Sequence, residues 1–228
     1  MRVKICGITY IADARAAVEA GADAIGLNFV GGPRKIDPVR AGDILHILPA
    51  LITPVALVKL GKGRIPGDLA EFLNKHRVTD LQLYGDVNGK IMTRLSEDGF
   101  RPIPVIKVKD EQFVDTMNDW LSDSPDFKPP AVVLDAYNPN IEGGSGKTFR
   151  WAWVAEARES GKLSGWPPII LAGGLNPANV AEAVRIVRPF AVDVSSGVEK
   201  KDAPGKKDAK KMQQFVYIAK SLDKYDTT

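Results

Sequence analysis

Two reactive side chains stand at the ends of short apolar runs in this sequence. Cys6, the only cysteine among 228 residues, lies in the motif KICGIT, and Asp135 lies near the end of the run AVVLDA. A free cysteine often serves as a small buried hydrophobe, and an aspartate can cap a neighbouring element, so both residues also have structural interpretations. An aspartate that ends an apolar run is costly unless it is hydrated or paired, and this indicates proton transfer or ligand binding.

Two glycine-bearing segments indicate a site for an anion. Gly173 and Gly174 occur in LAGGLNPANV, and Ser195, Ser196 and Gly197 occur in VDVSSGVE. Glycines allow the backbone to approach a ligand closely, and exposed N–H groups at the start of a helix attract anions. Tight turns are the alternative explanation for each segment, but the two segments together favour a phosphate site.

The segment DAYNPNIEGGSGKTFRW, which begins at Asp135, is long for a connection between two elements. Its centre is the sequence GGSG, which contains Gly144 and is typical of a hinge. We interpret the segment as a lid that closes over a substrate and excludes water, with Gly144 among the substrate-binding residues. A flexible connection without a function is the alternative.

A regular alternation of apolar runs and amphipathic stretches must position these residues. Apolar runs rich in Val, Ile and Leu predict parallel strands buried on both faces, and the stretches between them predict helices. One such helix, in NPANVAEAVRIV, is predicted to be capped by Asn176 with Pro177 in its first position. The predicted strands are residues 3–8, 24–29, 54–60, 80–85, 103–109, 131–136, 168–173 and 191–196.

This alternation predicts the α/β fold class and, within it, a single-domain (β/α)8 TIM barrel over residues 1–228. A doubly wound open sheet is the rival fold, but no G-x-G-x-x-G turn follows the first strand. In a TIM barrel the C-terminal ends of the strands build the active site, so polar residues at those ends should converge. The residues concerned are Cys6, Asn28, Lys59, Gln82, Tyr84, Lys107, Asp135, Asp193 and Ser195.

The composition excludes several classes of protein. With 44% apolar residues and a formal net charge of +3, it is that of an ordinary globular protein. The basic run EKKDAPGKKDAKK is interpreted as a solvated loop and helix, because no aromatic residues interleave with its lysines as nucleic-acid binding would require. No stretch approaches the about 18 apolar residues of a membrane span, and one cysteine needs no oxidising compartment, so we expect a cytoplasmic protein. His46 and His76 fall in predicted helices, so neither a zinc site nor a Ser-His-Asp triad is expected.

A set of motifs in a fixed order carries a family resemblance. They are KICGIT, GADAIGLNF followed by GPRKI, LQLYG, VVLDA with GGSGKTFRW, ILAGGLNPANV, and VDVSSGVE followed by PGKKD. Together they closely resemble the N-(5'-phosphoribosyl)anthranilate isomerases, and the similarity extends from the first predicted strand to the last predicted helix.

The resemblance implies an Amadori rearrangement in tryptophan biosynthesis, in which an aminoaldose becomes an aminoketose without a cofactor or a metal. By this resemblance Cys6 is the general base and Asp135 the general acid. Arg34 would hold the anthranilate carboxylate, and the loops described above would hold the ribose phosphate. Tyr84 and Asp193 complete the expected substrate-binding set, and the expected partner is a small phosphosugar.

A thiol needs a neighbouring cation to form a thiolate at neutral pH. Alternation along the first strand points Lys4 to the same face as Cys6, but one residue pair deeper in the barrel. Arg34 is therefore the favoured partner of the thiol at the level of sequence.

The chain departs from the family pattern around the expected aromatic end of the substrate. It has QLYG where the family usually has QLHG, GGPR where the family usually has SPR, and a charged Lys59 in the third strand. Tyr84 can still donate a hydrogen bond, but it cannot carry a positive charge. Two alternatives therefore stay open, namely an isomerase of another phosphosugar with a changed aglycone pocket and a non-catalytic barrel that binds a phosphate ligand. The oligomeric state is not predicted.

Overall fold

The computed structural model describes residues 1–137 and 148–222. Within these ranges parallel strands pair in sequence order, β1 to β8, and β8 pairs with β1 to close a barrel. The strands are β1 (Arg2–Cys6), β2 (Ala24–Asn28), β3 (Thr53–Leu60), β4 (Asp80–Gly85), β5 (Arg101–Val108), β6 (Val132–Ala136), β7 (Ile169–Leu171) and β8 (Ala191–Val194). The predicted (β/α)8 barrel is thereby confirmed.

A helix follows each strand and covers the outside of the barrel. The helices are α1 (Ile11–Glu19), α2 (Pro38–Ile47), α3 (Gly67–Lys75), α4 (Gly89–Glu97), α5 (Phe113–Asp123), α6 (Ala152–Glu159), α7 (Val180–Val187) and α8 (Ala209–Ser221). None of these helices has both the length and the apolar character that a membrane crossing requires.

Alternation along each strand separates the helix-facing core from the barrel interior. On β3, Ala56 and Val58 pack in a core cluster with Leu69 and Leu73 of α3, whereas Leu57 lines a cavity inside the barrel. Successive side chains of a strand point to opposite faces, so a polar residue that ends a strand in the inward register must face the barrel mouth. This rule applies to Tyr84 at the end of β4.

The start of α7 differs from the sequence-based prediction. The helix begins at Val180 rather than at Pro177, and a turn occupies the residues between Leu175 and the helix. The side chain of Asn176 accepts a hydrogen bond from Ala178 N at 2.8 Å, and Asn179 Oδ1 accepts one from Asn176 N at 2.8 Å. These local bonds give the backbone an alternative to the first helical turn, as asparagine side chains often do.

Candidate active site

A cavity of about 340 Å³ opens at the C-terminal end of the barrel. It lies where the sequence predicted the site, because most of the side chains that end the strands line it. Lys59 and Lys107, which were also predicted to converge there, are not among the lining residues. Gly197 is not among the lining residues, and Gly144 lies outside the described residues. The lining includes Cys6, Asn28, Arg34, Gln82, Tyr84, Asp135, Gly173, Gly174, Asp193, Ser195 and Ser196.

Cys6 lies at the end of β1 and is almost completely buried, because only 6% of the residue is exposed to solvent. The neighbouring position on β2 is a glycine for a steric reason. A Cβ atom at Gly26 would stand 2.7 Å from Cys6 Sγ and 3.1 Å from Lys4 Nζ, closer than such atoms normally approach. The thiol and the ammonium therefore share the space that the missing side chain of Gly26 leaves.

Lys4 carries the ammonium group below the thiol. Its Nζ donates to Asp193 Oδ2 at 2.8 Å and to Gln82 Oε1 at 3.0 Å, and the three side chains are buried. Burial alone would lower the pKa of Lys4, but the charges of Asp193 and Cys6 outweigh it and raise the pKa above its ordinary value. The prediction that Arg34 is the cation beside the thiol is wrong, because Lys4 occupies that place.

The charges around Cys6 act on its thiol in opposite directions. Burial and the nearby Asp193 carboxylate raise the pKa of the Cys6 thiol above its ordinary value. The ammonium groups of Lys4 and Lys207 oppose this rise, because a positive charge favours the thiolate. The thiol therefore depends on its lysine neighbours for ionisation.

Asp135 lies at the end of β6, three strands away from β1 around the barrel. Its Oδ2 accepts a hydrogen bond from Lys107 Nζ at 2.6 Å, and the two residues are register partners on β6 and β5. Gly173 leaves room beside the other oxygen, since a Cβ there would stand 3.0 Å from Asp135 Oδ1 and 2.4 Å from Ala136 N. Gly173 also has a φ of +85°, which favours glycine over other residues.

Tyr84 faces the cavity between these two groups. Its hydroxyl accepts a hydrogen bond from Gln82 Nε2 at 2.9 Å, and Lys107 Nζ lies 5.5 Å from the ring centroid. Burial and the charge of Asp135 raise the pKa of Tyr84 well above its ordinary value, so the phenol keeps its proton at neutral pH. Because Gln82 supplies the donor in that bond, the phenol proton is available to an acceptor in the cavity.

Arg34 lies at the rim of the cavity in a bidentate ion pair. Its Nε and Nη2 donate to the two carboxylate oxygens of Glu199 at 2.7 Å and 2.8 Å. Lys207, whose side chain is fully buried, donates to Glu199 Oε1 at 3.1 Å and to Ser195 O at 3.1 Å. These bonds link the rim at Arg34 to the loop after β8.

The charged run near the C-terminus is only partly a solvated surface, contrary to the sequence interpretation. Glu199 and Lys207 within it are buried, with 6% and 1% of the residue exposed. The burial of these two residues could not be predicted from the sequence, because charged residues in a predicted loop are normally exposed. The ion pair offsets only part of the cost at Lys207, because burial lowers the pKa of this lysine below its ordinary value despite the charge of Glu199.

The two predicted phosphate loops lie side by side at the mouth. Gly197 packs directly on the loop after β7, where a Cβ would stand 1.9 Å from Leu175 O. In the described part of the chain, the N–H groups of Gly174, Ser196 and Gly197 donate to no protein acceptor. Three backbone donors are therefore available to an anion between the loops.

The closed parallel barrel and the polar groups gathered at its C-terminal mouth define a (β/α)8-barrel enzyme. A family model described as N-(5'phosphoribosyl)anthranilate (PRA) isomerase matches residues 3–217. The chain belongs to this isomerase family.

Individual relatives agree with the family model. An N-(5'-phosphoribosyl)anthranilate isomerase of Trichlorobacter lovleyi is 40% identical over 221 residues, which cover 96% of this chain and 98% of the relative. The crystal structure of the phosphoribosyl anthranilate isomerase from Thermotoga maritima is similar with a TM-score of 0.81 and 32% identity, covering 97% and 100% of the two chains. A further similar structure, with a TM-score of 0.78, 30% identity and the same coverage, is that of a phosphoribosyl anthranilate isomerase in complex with reduced 1-(o-carboxyphenylamino)-1-deoxyribulose 5-phosphate.

Proposed function

We propose that this protein catalyses the Amadori rearrangement of N-(5'-phosphoribosyl)anthranilate in tryptophan biosynthesis. The product is 1-(2-carboxyphenylamino)-1-deoxyribulose 5-phosphate. The observation that carries the proposal is one cavity with a thiol on β1 and a carboxylate on β6, in a chain of this isomerase family. An acid and a base on separate walls suit a reaction that adds a proton at one substrate atom and removes one at another.

The ribose phosphate would bind between the loops after β7 and β8. The available N–H groups of Gly174, Ser196 and Gly197 would donate to its oxygens, and Ser195 and Gly173 would border it. The loops after the seventh and eighth strands commonly hold phosphate in this fold. A phosphate fixed there would place the sugar over the centre of the barrel, between Cys6 and Asp135.

Asp135 would act as the acid of the first step. Its proton goes to the furanose ring oxygen, the bond from that oxygen to the anomeric carbon breaks, and the amine lone pair forms an iminium. After this transfer Asp135 is a carboxylate, and Lys107 Nζ, which lies 2.6 Å from its Oδ2, would stabilise that charge. Lys107 would therefore support the acid step through its positive charge.

Cys6 would act as the base of the second step. Its thiolate removes the proton from the carbon next to the iminium, and the electrons of that C–H bond form the enolamine and neutralise the nitrogen. The enolamine then tautomerises to the ketone. The reaction needs no electron acceptor, because one carbon of the sugar is oxidised while its neighbour is reduced.

The anthranilate carboxylate would bind at the rim near Arg34. Glu199 engages Nε and Nη2 of this arginine, which leaves Nη1 for the substrate. The proton of the Tyr84 phenol is directed away from Gln82 and could serve a second acceptor of the substrate. Glu199 would thus hold the guanidinium in place for the aromatic acid.

A second candidate function is the isomerisation of another phosphosugar with a different aglycone. It is favoured by the tyrosine at position 84 and by Gly31 and Gly32, which line the cavity next to Arg34. Turnover of phosphoribosylanthranilate and of phosphoribosylamines with other aglycones, measured side by side, separates the two functions. A preference for a different aglycone would replace the first proposal.

Removal of the acid or the base tests the mechanism. Each group should contribute roughly 10²–10⁴-fold to the rate, so Cys6→Ser and Asp135→Asn should each lower kcat by that factor. KM should change little in both variants, and the melting temperature should change little in Cys6→Ser, which nearly preserves size. Asp135→Asn also removes the charge paired with Lys107, so a modest fall in its melting temperature is expected. If a Cys6→Ser or Cys6→Ala protein keeps the kcat of the original protein, the thiol is not the base and serves only in packing.

The cellular role is tested by complementation of a tryptophan auxotroph that lacks this isomerase. We expect the gene to restore growth without tryptophan, and the Asp135→Asn variant to fail. We propose that one domain of residues 1–228 carries the activity in the cytoplasm, acting on a small phosphosugar.

A further inference from the structure

The ammonium of Lys4 is buried in a site that does not use all of its donors. Its side chain is 6% exposed, and Asp193 and Gln82 accept two hydrogen bonds from it. An ammonium has three N–H donors, so a third donor stays available inside the barrel. A buried ammonium is costly unless its charge is paired and its N–H groups are hydrogen-bonded, so an acceptor for the third donor is expected nearby.

The position of Cys6 Sγ accounts for this third donor. Both Sγ and Lys4 Nζ lie within 3.1 Å of the point where a Cβ of Gly26 would stand. The sulfur and the nitrogen are therefore no more than about 6 Å apart, a range in which an opposite charge favours ionisation. Lys4 and Cys6 also lie two residues apart on β1, so both side chains point into the barrel.

Other charges face the thiol from the surrounding elements. On β8, Asp193 opposes the thiolate, and beyond β8 the buried Lys207 favours it. Among these groups the ammonium of Lys4 opposes the rise in the pKa of the thiol most strongly. The remaining titratable groups that line the cavity are Arg34 after β2, Tyr84 on β4 and Asp135 on β6.

We propose that Lys4 is a positioning residue whose ammonium supplies the charge that stabilises the Cys6 thiolate, while Asp193 and Gln82 hold that ammonium below the sulfur. The inference rests on the proposed role of Cys6 as the base. It also gives Asp193 a definite effect, because its carboxylate competes with the thiolate for the same positive charge. Loss of Lys4 and loss of Asp193 should therefore shift the thiol titration in opposite directions.

The titration of the thiol tests this directly in the full-length protein without substrate. Thiolate absorbs in the ultraviolet, and the chain has one cysteine, so subtraction of a Cys6→Ser titration isolates its signal. Lys4→Met should raise the thiol pKa by about one pH unit or more, which means about tenfold less thiolate at neutral pH. Lys4→Arg, which keeps the charge, should titrate closer to the original protein, and Asp193→Asn should titrate at lower pH. A folded Lys4→Met protein with an unchanged thiol pKa would overturn the proposal.

Removal of Lys4 leaves the carboxylate of Asp193 unpaired, so the single variant could fail to fold. The double variant Lys4→Met with Asp193→Asn removes both charges, and it is compared with Asp193→Asn alone. The double variant should titrate about one pH unit or more above that single variant. Equal titrations of these two proteins would also overturn the proposal.

A matched control is Lys220→Met. Lys220 pairs with Asp23 at 2.9 Å, as Lys4 pairs with Asp193, but Asp23 immediately precedes β2 at the opposite end of the barrel. Its loss should leave both the thiol titration and kcat unchanged. A shift of the same size in this variant would mean that the thiol senses overall charge, which would contradict a specific role of Lys4.

Comparison of Cys6→Ser with Lys4→Met distinguishes a failure of the proposed role of Lys4 from a failure of the proposed role of Cys6 as the base. If Cys6→Ser remains active while Lys4→Met shifts the thiol titration, the base assignment fails and the electrostatic pairing stands. If Cys6→Ser is inactive while the titration does not move, the base assignment stands and the role of Lys4 fails. With both correct, Lys4→Met lowers kcat at neutral pH by about tenfold or more, in step with its loss of thiolate.

Discussion

At Gly197 the addition of a single methyl group should be enough to disturb the proposed phosphate site. An added methyl group would stand 1.9 Å from Leu175 O, 2.9 Å from Leu175 C and 2.9 Å from Asn176 Cβ. The first two atoms belong to the backbone, so no rotation of a side chain relieves the contact. The loops after β7 and β8 must separate by roughly 1.5 Å to restore an ordinary contact distance.

The expected cost of Gly197→Ala follows from this displacement. Overpacking of a well-packed site costs about 1–3 kcal/mol, which for a chain of this length lowers Tm by about 2–12 °C. A misplacement of about 1 Å in a binding site can reduce the rate by up to about 10²-fold. We therefore expect kcat/KM to fall by about 10- to 100-fold, mainly through KM, because the phosphate donors move while Cys6 and Asp135 do not.

Thermal unfolding, steady-state kinetics and binding of inorganic phosphate measure the three effects. Gly67→Ala is the matched control, since Gly67 is exposed at the start of α3 and its added Cβ would meet no atom within 4 Å apart from its own chain neighbours and helix backbone. This control should keep its Tm and its kinetics. A Gly197→Ala protein with unchanged Tm and unchanged phosphate affinity would refute the packing of the two loops as the basis of the site.

Two further predictions concern the buried charges behind the rim. Lys207→Met should lower the free energy of unfolding by about 1–3 kcal/mol in urea titrations, because Glu199 keeps its pair with Arg34 but loses its buried lysine, whereas the exposed Lys210→Met should change it little. Burial alone would raise the pKa of Glu199, but the bonds from Arg34 and the charge of Lys207 lower it below its ordinary value of 4.5. A carboxyl group whose pKa is lowered on folding stabilises the protein above its unfolded pKa, and this stability is lost as the pH falls through the folded pKa. The stability advantage over Glu199→Gln should thus be full at neutral pH and shrink below about pH 4.5, and an advantage that grows in acid would contradict it.

Much of the fold and part of the candidate site could be predicted from the sequence, because they depend on local patterns. Continuous apolar runs specify strands buried on both faces, and the polar residue that ends each run must then lie at the C-terminal mouth. Cys6, Asp135 and the glycine-bearing segments were found in this way. The limit of local reasoning is visible at α7, where the bonds of Asn176 and Asn179 delay the helix to Val180.

The partners of the charged side chains were decided only by the tertiary structure. Alternation tells which face a residue points to, but the register between strands decides which residue stands beside it. Lys4 pairs with Asp193 because β1 and β8 close the barrel in that register, and Lys107 pairs with Asp135 across β5 and β6 in the same manner. Partners as distant in sequence as Lys4 and Asp193 leave no local pattern, so the carboxylate that holds the ammonium beside the thiol could be identified only once the barrel had closed.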